Sequence, residues 1–264
     1  MIGAIAGDIA GSVYEFHPQK REDINLFTPN AFFTDDSVMT IAAAEAIMQQ
    51  SSYQETYQKY GHLYPHAGYG GMFRKWLASD QPAPYNSFGN GSAMRVSAVG
   101  WAFNTIDEVL AEAGKSAAPT HDHPEGIKGA QATALAILFA RQGMVKEEIR
   151  DAITERFQYD LSRTVDSIRP GYTFNETCQQ TVPEALIAFF DASDYEDTLR
   201  KAISLGGDAD TLACIAGSVA EAYYAGVPQP IVEEVIRRLK PDLLKVVEQF
   251  RGRYLNALYP EPWM

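Results

Sequence analysis

The chain has 264 residues, of which 46% are hydrophobic and 21% are charged, a composition that supports a sizeable globular core. Its formal net charge is −12, which disfavours functions that depend on neutralising nucleic-acid phosphates, so we expect no sequence-specific nucleic-acid binding. The apolar N-terminal segment lacks a basic flank and soon meets Asp8, so we expect neither a signal peptide nor a membrane span, and a cytoplasmic protein.

Helical periodicity runs through the whole chain, and strand patterns are nearly absent. The predicted helices span, in chain order, residues 37–48, 106–116, 125–141, 146–157, 183–190, 195–205, 208–224 and 240–254. Pro183 and Pro228 are placed at helix starts, where proline is tolerated. We therefore predict an all-α, compact multi-helix bundle that forms a single domain over residues 1–264. Its connections at 64–71, 81–90 and 169–177 are rich in glycine, asparagine, proline and tyrosine, and such loops carry function.

The N-terminal segment combines small residues with two acids. A helix this rich in glycine and alanine can approach its neighbours closely. Asp8 is costly in such an apolar setting unless it is hydrogen-bonded, so it is either a buried acceptor or a group beside a metal site. Glu15 is predicted to lie on the same first helix as Asp8, and their spacing of seven residues places them on roughly one face. Two acids on one face indicate a polar cavity, and Glu15 would reach it from the helix end.

Two short acidic clusters stand near opposite ends of the chain, and each opens a predicted helix. The first is Thr34-Asp35-Asp36-Ser37, and the second is Gly206-Gly207-Asp208-Ala209-Asp210-Thr211. Either one alone is explained by helix capping. Carboxylates massed so tightly repel one another unless a cation or a shared proton offsets the charge. Carboxylate and hydroxyl oxygens suit Mg²⁺, Mn²⁺ or Ca²⁺, so the two clusters together predict a shared two-metal site.

The segment Ser87-Phe88-Gly89-Asn90-Gly91-Ser92-Ala93-Met94-Arg95 contains an Asn-Gly turn, with Ser92 as the predicted cap of the next helix. Backbone N–H groups flanked by glycines also bind anions, so the segment is either a turn with a cap or a cradle for phosphate or ribose. His121 and His123 are weak candidates for metal ligands. Because Pro65 interrupts the pair His62 and His66, we interpret that pair as structural.

Taken together, these segments resemble the ADP-ribosylglycohydrolase family. The resemblance follows chain order over nearly the whole length, through Gly7-Asp8-x-x-Gly11-Ser12-x-Tyr14-Glu15, Thr34-Asp35-Asp36, Ser87-Phe88-Gly89-Asn90-Gly91-x-x-Met94-Arg95, Thr120-His121 and Leu205-Gly206-Gly207-Asp208-x-Asp210-Thr211. It implies an orthogonal bundle of helices with a binuclear Mg²⁺ or Mn²⁺ centre in a cleft lined by glycine-rich loops.

The resemblance also implies roles for individual residues. The implied metal ligands are Thr34, Asp35, Asp36, Asp208, Asp210 and Thr211. The implied substrate-binding residues are Ser87, Phe88, Gly89, Asn90, Gly91, Ser92, Met94, His121 and Gly207. Glu15 and Asp36 are the implied catalytic carboxylates, and either one would orient or deprotonate the attacking water. A glycine-tyrosine pair that many members use at the adenosine falls earlier here, at Gly171-Tyr172, which leaves the adenine contacts open.

The implied reaction is hydrolysis of the glycosidic bond between ADP-ribose and an acceptor, with two Mg²⁺ or Mn²⁺ ions as cofactors. The acceptor stays open among arginine- or serine-linked protein, a small molecule and a nucleic acid. Two other interpretations remain. The adjacent His121-Asp122 would suit a metal phosphohydrolase of the His-Asp type, although the acidic cluster at 206–211 would then be unexplained. The other is a sensor that binds ADP-ribose without cleaving it.

Overall fold

The computed structural model describes residues 1–260, and over these residues the regular structure is helical, with one isolated bridge between Gly89 and Thr177. The α-helices are α1 (Ile2–Gly11), α2 (Asp35–Gln49), α3 (Tyr53–Leu63), α4 (Gly71–Leu77), α5 (Gly91–Met94), α6 (Ser97–Ala102), α7 (Ile106–Ala117), α8 (Pro124–Arg141), α9 (Lys146–Phe157), α10 (Val165–Ile168), α11 (Cys178–Asp191), α12 (Tyr195–Ser204), α13 (Ala209–Tyr223), α14 (Gln229–Arg238) and α15 (Pro241–Phe250). The predicted all-α class is confirmed. The single domain over 1–264 stays a prediction, and its last four residues lie outside the described part.

Two predicted helix boundaries are wrong. Helix α11 begins at Cys178, so Pro183 lies inside the helix instead of opening it. The earlier start is anchored because the Cys178 amide donates to the Phe88 carbonyl at 2.9 Å. Because proline has no N–H, Pro183 cannot donate the helical hydrogen bond to the carbonyl of Gln179. Gln179 is exposed, so water can donate to that carbonyl instead. The helix predicted over 240–254 changes type, since α15 ends at Phe250 and a π-helix follows over Arg251–Leu255. Pro228 does lie at the start of α14.

Glu15 does not lie on the first helix, and the prediction that it shares a helical face with Asp8 is wrong. Helix α1 ends at Gly11, and the chain then turns, with the Tyr14 amide donating to the Gly11 carbonyl at 2.8 Å. The Ser12 hydroxyl donates a hydrogen bond to the carbonyl of Ile9, one of the last carbonyls of the helix, which have no N–H partner within it. Glu15 is therefore carried by a bend beyond the helix and is half-buried.

Glycines allow α1 to lie directly against α13, as the small residues of the N-terminal segment predict. A Cβ atom placed on Gly7 would lie 2.1 Å from the carbonyl oxygen of Ala213, and one on Gly11 would lie 2.4 Å from the Cα of Asp210. Residue numbers rise along α1 as they fall along α13, so the two helices are antiparallel. The C-terminal end of α1 therefore meets the N-terminal end of α13, where the second acidic cluster begins.

The remaining helices surround this central pair. Helix α2 packs on α1, α3, α6 and α15, while α8 packs on α6, α7, α11 and α13. The interior is a continuous apolar cluster that takes in residues from Met1 to Tyr259. In the part of the chain that the structure describes, no helix is both long and apolar enough to cross a membrane. The predicted cytoplasmic location stays a prediction.

Candidate metal and substrate cleft

A cleft of about 470 Å³ lies where the end of α1, the start of α2 and the start of α13 meet. Both predicted acidic clusters open into it, together with Glu15 and part of the glycine-rich loop before α5. The predicted site residues that line the cleft are Glu15, Thr34, Asp35, Asp36, Ser87, Gly89, Asn90, Gly91, Met94, His121, Asp208, Asp210 and Thr211. The structure thus brings together groups that are far apart in the sequence.

Asp8 holds the first acidic cluster in place. Its carboxylate accepts hydrogen bonds from the Thr34 amide at 2.9 Å, the Thr34 hydroxyl at 2.6 Å and the Ser37 amide at 3.1 Å, and also from the Ser37 hydroxyl. The Thr34 hydroxyl in turn accepts from the Asp36 amide at 3.3 Å, which caps α2. Asp8 is therefore a buried acceptor, and because Thr34 is one of its donors it also lies beside the predicted metal site. Helix capping and site formation are therefore properties of the same residues.

The second acidic cluster is held by its backbone and by an amide side chain. Gly206 and Gly207 have φ values of +71° and +77°, a backbone region that residues other than glycine rarely adopt. These two glycines therefore let the chain turn sharply into α13. Asp208 then accepts a hydrogen bond from Asn90 Nδ2 at 2.7 Å. One oxygen of Asp210 accepts from the Thr211 amide at 2.9 Å.

Glu15 joins the second cluster. One ligand atom from each of Glu15, Asp208 and Asp210 lies within 4.8 Å of the others, which is close enough for the three carboxylates to share a metal ion. Asp35 and Asp36 line the same cleft but do not belong to this group. Glu15 is predicted from the sequence to be catalytic, and its carboxylate lies beside the predicted ligands Asp208 and Asp210.

Burial and mutual repulsion raise the pKa of the cleft carboxyls. Burial, and then the charges of Asp208 and Glu176, raise the pKa of Glu15 to about 7. Burial and the charge of Asp8 raise the pKa of Asp35 to about 8. Burial followed by nearby carboxylates also raises the pKa values of Asp36 and Asp210 well above their usual range. Carboxyl groups this close together are all ionised only where a bound cation offsets their mutual repulsion.

A divalent cation fits this donor set. Both oxygens of a carboxylate normally find partners when buried, yet Oδ2 of Asp36 is buried without a hydrogen bond. Asp36 lines the same cleft as Glu15, Asp208, Asp210 and Thr211. Oxygen donors of this kind match hard cations such as Mg²⁺ and Mn²⁺. The residues that sequence analysis selected as ligands are therefore compatible with a metal centre.

Part of the segment 87–95, which comprises the glycine-rich loop and α5, faces the cleft and part of it does not. Ser87, Gly89, Asn90, Gly91 and Met94 line the cleft. The N–H of Gly89 donates to the Ser87 hydroxyl at 3.1 Å, and that of Asn90 donates to the Glu176 carbonyl at 2.7 Å. These two N–H groups therefore already have partners within the protein, and the predicted anion cradle stays a prediction.

Three predicted substrate residues are not among those that line the cleft. Phe88 is 45% exposed and packs edge-on against the ring of His123. Ser92 does not cap α5 as predicted, because its hydroxyl is buried and donates to the Gly126 carbonyl at 2.6 Å. Gly207 faces Tyr172 and the backbone of residues 173 and 174, which leave little room for a side chain. Their roles in substrate binding stay predictions.

His121 is buried at the wall of the cleft. Its Nδ1 lies 2.7 Å from the Thr120 hydroxyl, which accepts a hydrogen bond from Arg95 at 2.8 Å. Its Nε2 faces the glycine loop, since a Cβ on Gly91 would lie 3.2 Å from that atom. Burial, and then the charge of Arg95, lower the pKa of His121 well below its usual value, so the ring is neutral near pH 7.

The remaining histidines do not form a metal site with His121 among the described residues. His123 caps α8 and accepts from the Glu125 amide at 3.1 Å. Asp122 is exposed and accepts from the Asn86 amide at 2.7 Å. His62 is exposed on α3, whereas His66 lines the cleft. The pairing of His121 with Asp122 that a phosphohydrolase of the His-Asp type requires is therefore not seen.

Several cleft residues escaped the sequence analysis. Glu176 lines the cleft, and residues 66–73 form a further wall of it. Both segments lie in or beside loops that composition marked as functional, but no acidic pair or family motif singled out their members. Loop composition was the available signal, and it does not say which side chain turns inward.

The fold and the acidic cleft define an all-α protein with a candidate metal site. The chain matches the model of the ADP-ribosylglycohydrolase family over residues 1–258, and it therefore belongs to that family of enzymes.

Individual relatives agree with this family. The ADP-ribosylhydrolase ARH3 of Mus musculus is 26% identical, over 85% of this chain and 82% of that protein, and ARH3 of Homo sapiens is 26% identical, over 85% and 84%. The ADP-ribosylarginine hydrolase Tri1 of Pseudomonas putida is 24% identical, over 89% and 72%. A solved structure described as an ADP-ribosylglycohydrolase-related protein complex has a TM-score of 0.72 at 24% identity, over 98% of this chain and 95% of that one, which shows likeness of fold.

Proposed function

We propose that the protein is a divalent-metal-dependent hydrolase that cleaves the glycosidic bond between ADP-ribose and an acceptor. The observation that carries this proposal is the convergence of both acidic helix starts on one cleft, in a chain that belongs to the ADP-ribosylglycohydrolase family. The relatives named as ADP-ribosylhydrolases support the same reaction class. The name of Tri1 specifies ADP-ribosylarginine, whereas that of ARH3 specifies no acceptor. The acceptor is proposed as a protein modified at arginine or serine, with a small-molecule or nucleic-acid conjugate as the alternative.

The proposed cofactor is a pair of Mg²⁺ or Mn²⁺ ions. The proposed ligands are Thr34, Asp35, Asp36, Asp208, Asp210 and Thr211, all of which line the cleft. Glu15 lies next to them, because its carboxylate is close to those of Asp208 and Asp210. When bound, such ions would supply Lewis-acid chemistry at the terminal ribose and lower the pKa of a water molecule.

In the proposed reaction, water attacks C1 of the terminal ribose as the bond from C1 to the acceptor breaks. The electron pair of that bond leaves with the acceptor, which takes up a proton, and the transition state resembles an oxocarbenium ion. A carboxylate must take the proton from the attacking water. Glu15 suits this step because its half-buried carboxylate lies in the cleft beside those of Asp208 and Asp210. Asp36, buried with an oxygen that lacks a partner, is the other candidate.

His121 and the glycine loop are proposed to bind the rest of the ADP-ribose. The imidazole of His121 is neutral, so it brings no positive charge to the cleft, and one of its nitrogens can donate a hydrogen bond. The small residues Gly89 and Gly91 keep the path between the loop and His121 open, because a Cβ on either would lie within 3.4 Å of Nε2.

Release of ADP-ribose from arginine-, serine- and nucleic-acid-linked conjugates tests the proposal, with Mg²⁺ or Mn²⁺ and with a chelator. Metal-dependent release from one conjugate establishes the reaction and identifies the acceptor. If ADP-ribose binds but no conjugate is cleaved, the protein is instead a sensor. If ADP-ribose neither binds nor is released, the proposed function is wrong.

A further inference from the structure

His121 is the last member of a row of hydrogen-bonded side chains that begins at a buried cation. Arg95 is fully buried, and its Nη2 donates to the Thr120 hydroxyl at 2.8 Å and to the carbonyls of Ser116 at 3.2 Å and Ala117 at 3.4 Å. A guanidinium can only donate hydrogen bonds. The Thr120 oxygen is therefore the acceptor in its contact with Arg95.

The Thr120 hydroxyl determines the direction of the next hydrogen bond. Its Oγ1 lies 2.7 Å from Nδ1 of His121, and Thr120 is fully buried. A threonine hydroxyl has one proton to donate, and among the hydrogen bonds of the described residues Nδ1 is the acceptor within its reach. If Nδ1 carried a proton instead, the buried Thr120 proton would lack an acceptor, which costs free energy. We therefore assign Thr120 as the donor and Nδ1 as the acceptor.

Tyr85 is a further polar side chain close to this pair. Its ring centroid lies 6.1 Å from that of His121. Burial raises the pKa of Tyr85, and the charge of Arg95 and the hydroxyl of Thr120 offset only part of that rise, so the phenol is protonated near pH 7. A protonated phenol can donate to the second lone pair of the Thr120 oxygen, which again leaves the Thr120 proton for His121.

The other ring nitrogen of His121 faces the cleft. A neutral imidazole whose Nδ1 accepts carries its proton on Nε2. A Cβ placed on Gly91 would lie 3.2 Å from Nε2 and one on Gly89 would lie 3.4 Å from it, and all three residues line the cleft. Among the described residues Nε2 has no hydrogen-bond partner, yet unlike Oδ2 of Asp36 it is not closed off from solvent. The N–H at this position is therefore accessible to a ligand.

We propose that Arg95 and Thr120 fix His121 as the tautomer whose Nε2 carries the proton, so that this side of the cleft offers its ligand a hydrogen-bond donor. Arg95 and Thr120 are positioning residues, because they act on the ligand through His121. The inference rests on the proposed function for the identity of the ligand, in which case Nε2–H donates to an oxygen of ADP-ribose. A ligand group that can only donate would be disfavoured at the same place.

The tautomer is measured directly by NMR of the histidine ring nitrogens in the full-length protein without ligand. The chain has five histidines, so the His121 signals are assigned by their loss in His121→Gln. We expect a protonated Nε2 and an unprotonated Nδ1 in the wild type. A proton on Nδ1 in the wild type would overturn the inference, and this result does not depend on how any variant folds.

Three variants test whether Thr120 sets the tautomer. Thr120→Val removes the hydroxyl with little change of shape, Thr120→Ser keeps a hydroxyl, and Thr133→Val is the matched control, since Thr133 is also fully buried but its hydroxyl makes no hydrogen bond. We expect Thr120→Val to lose the single tautomer and to bind ADP-ribose roughly three- to tenfold more weakly with Mg²⁺ present, the effect of one hydrogen bond. Thr120→Ser and Thr133→Val should keep the tautomer and the affinity.

The outcomes separate this inference from the proposed function. If Thr120→Val keeps the wild-type tautomer, or loses it without binding ADP-ribose more weakly, the inference is wrong. Weaker binding that Thr120→Ser does not restore would also overturn it, since a general packing defect would then explain the loss. A wild type that shows the expected tautomer but binds no ADP-ribose would contradict the proposed function, while the assignment of the tautomer to Arg95 and Thr120 would stand or fall by the spectra of the variants.

Discussion

Asn90 donates a hydrogen bond from Nδ2 to Oδ2 of Asp208 at 2.7 Å, which ties the glycine loop to the second acidic cluster across 118 positions of the chain. The same nitrogen lies 3.2 Å from the Thr181 hydroxyl, so the amide is oriented from two sides. Groups that hold a metal ligand in this way usually affect metal binding almost as strongly as the ligands do.

Asn90→Ala is therefore expected to raise the metal concentration needed for half-maximal activity by about 10- to 100-fold. The measurement is ADP-ribose release as a function of Mg²⁺ or Mn²⁺ concentration. Asn104→Ala is a suitable control, since Asn104 is exposed and bonded to Arg141 away from the cleft. An unchanged metal requirement in Asn90→Ala would show that Asp208 needs no such support.

Asp36→Ala and Asp208→Ala are each expected to abolish turnover while the fold stays intact. Each removes a carboxylate from the cleft, and with it a proposed ligand. Burial raises the pKa of both groups, which means that their charged forms are unfavourable in the metal-free fold. Without added metal, neither variant should therefore unfold at a lower temperature than the wild type. Turnover near the wild-type rate in either variant would contradict the two-metal proposal.

Glu15→Gln and Asp36→Asn distinguish the two candidate bases. Loss of general-base assistance typically costs about 10²- to 10⁴-fold in rate. In the wild type, activity should fall as the pH is lowered and the base becomes protonated. If Glu15 is the base, Glu15→Gln removes this acid limb of the pH profile at saturating metal. If the limb persists in Glu15→Gln, the proton is taken by Asp36 instead.

The stability of the metal-free protein is expected to fall as the pH rises. The pKa values of Asp8, Glu15 and Asp35 are raised in the fold to about 6, 7 and 8, with burial as the largest cause for each. A group whose pKa is raised by folding stabilises the native state below its unfolded value near 4, and that contribution disappears as the pH passes the folded value. The loss should therefore develop between about pH 4 and pH 8.

Melting temperatures measured with a chelator across this range test the prediction. Added Mg²⁺ or Mn²⁺ should restore stability most strongly near pH 8, because a ligand that binds only the native state stabilises it and metal competes with protons for the carboxylates. Asp36→Asn should flatten the pH dependence. A melting temperature that rises from pH 5 to pH 8 without metal would contradict this account of the cleft.

Helix content and the two acidic clusters were accessible from the sequence because both depend on local patterns. Apolar residues at helical spacing predicted the all-α class, and carboxylates at two helix starts predicted a shared site. Pro183 shows the limit of such rules. Proline favours a helix start, but the contact between Cys178 and the Phe88 carbonyl starts α11 five residues earlier. That contact joins segments that no local rule relates.

Glu15 shows the same limit within the site. Sequence spacing placed it on a helical face with Asp8, whereas the chain turns after Gly11 and brings Glu15 beside Asp208 and Asp210. Glu176, which lines the cleft, was not selected at all, because a single acidic residue in a loop has no local signature of the direction in which its side chain turns. Both outcomes depend on how separate segments pack.

The sequence by itself determined the helical class, the resemblance to a glycohydrolase family and the identity of most carboxylates at the site, since each is written in short stretches of chain. The tertiary structure decided which of those groups share a cleft and which side chains join them. It did so through the close antiparallel contact of α1 with α13, which glycines permit. Burial in that cleft is also what raises the carboxyl pKa values, and burial is a property of the packed molecule alone.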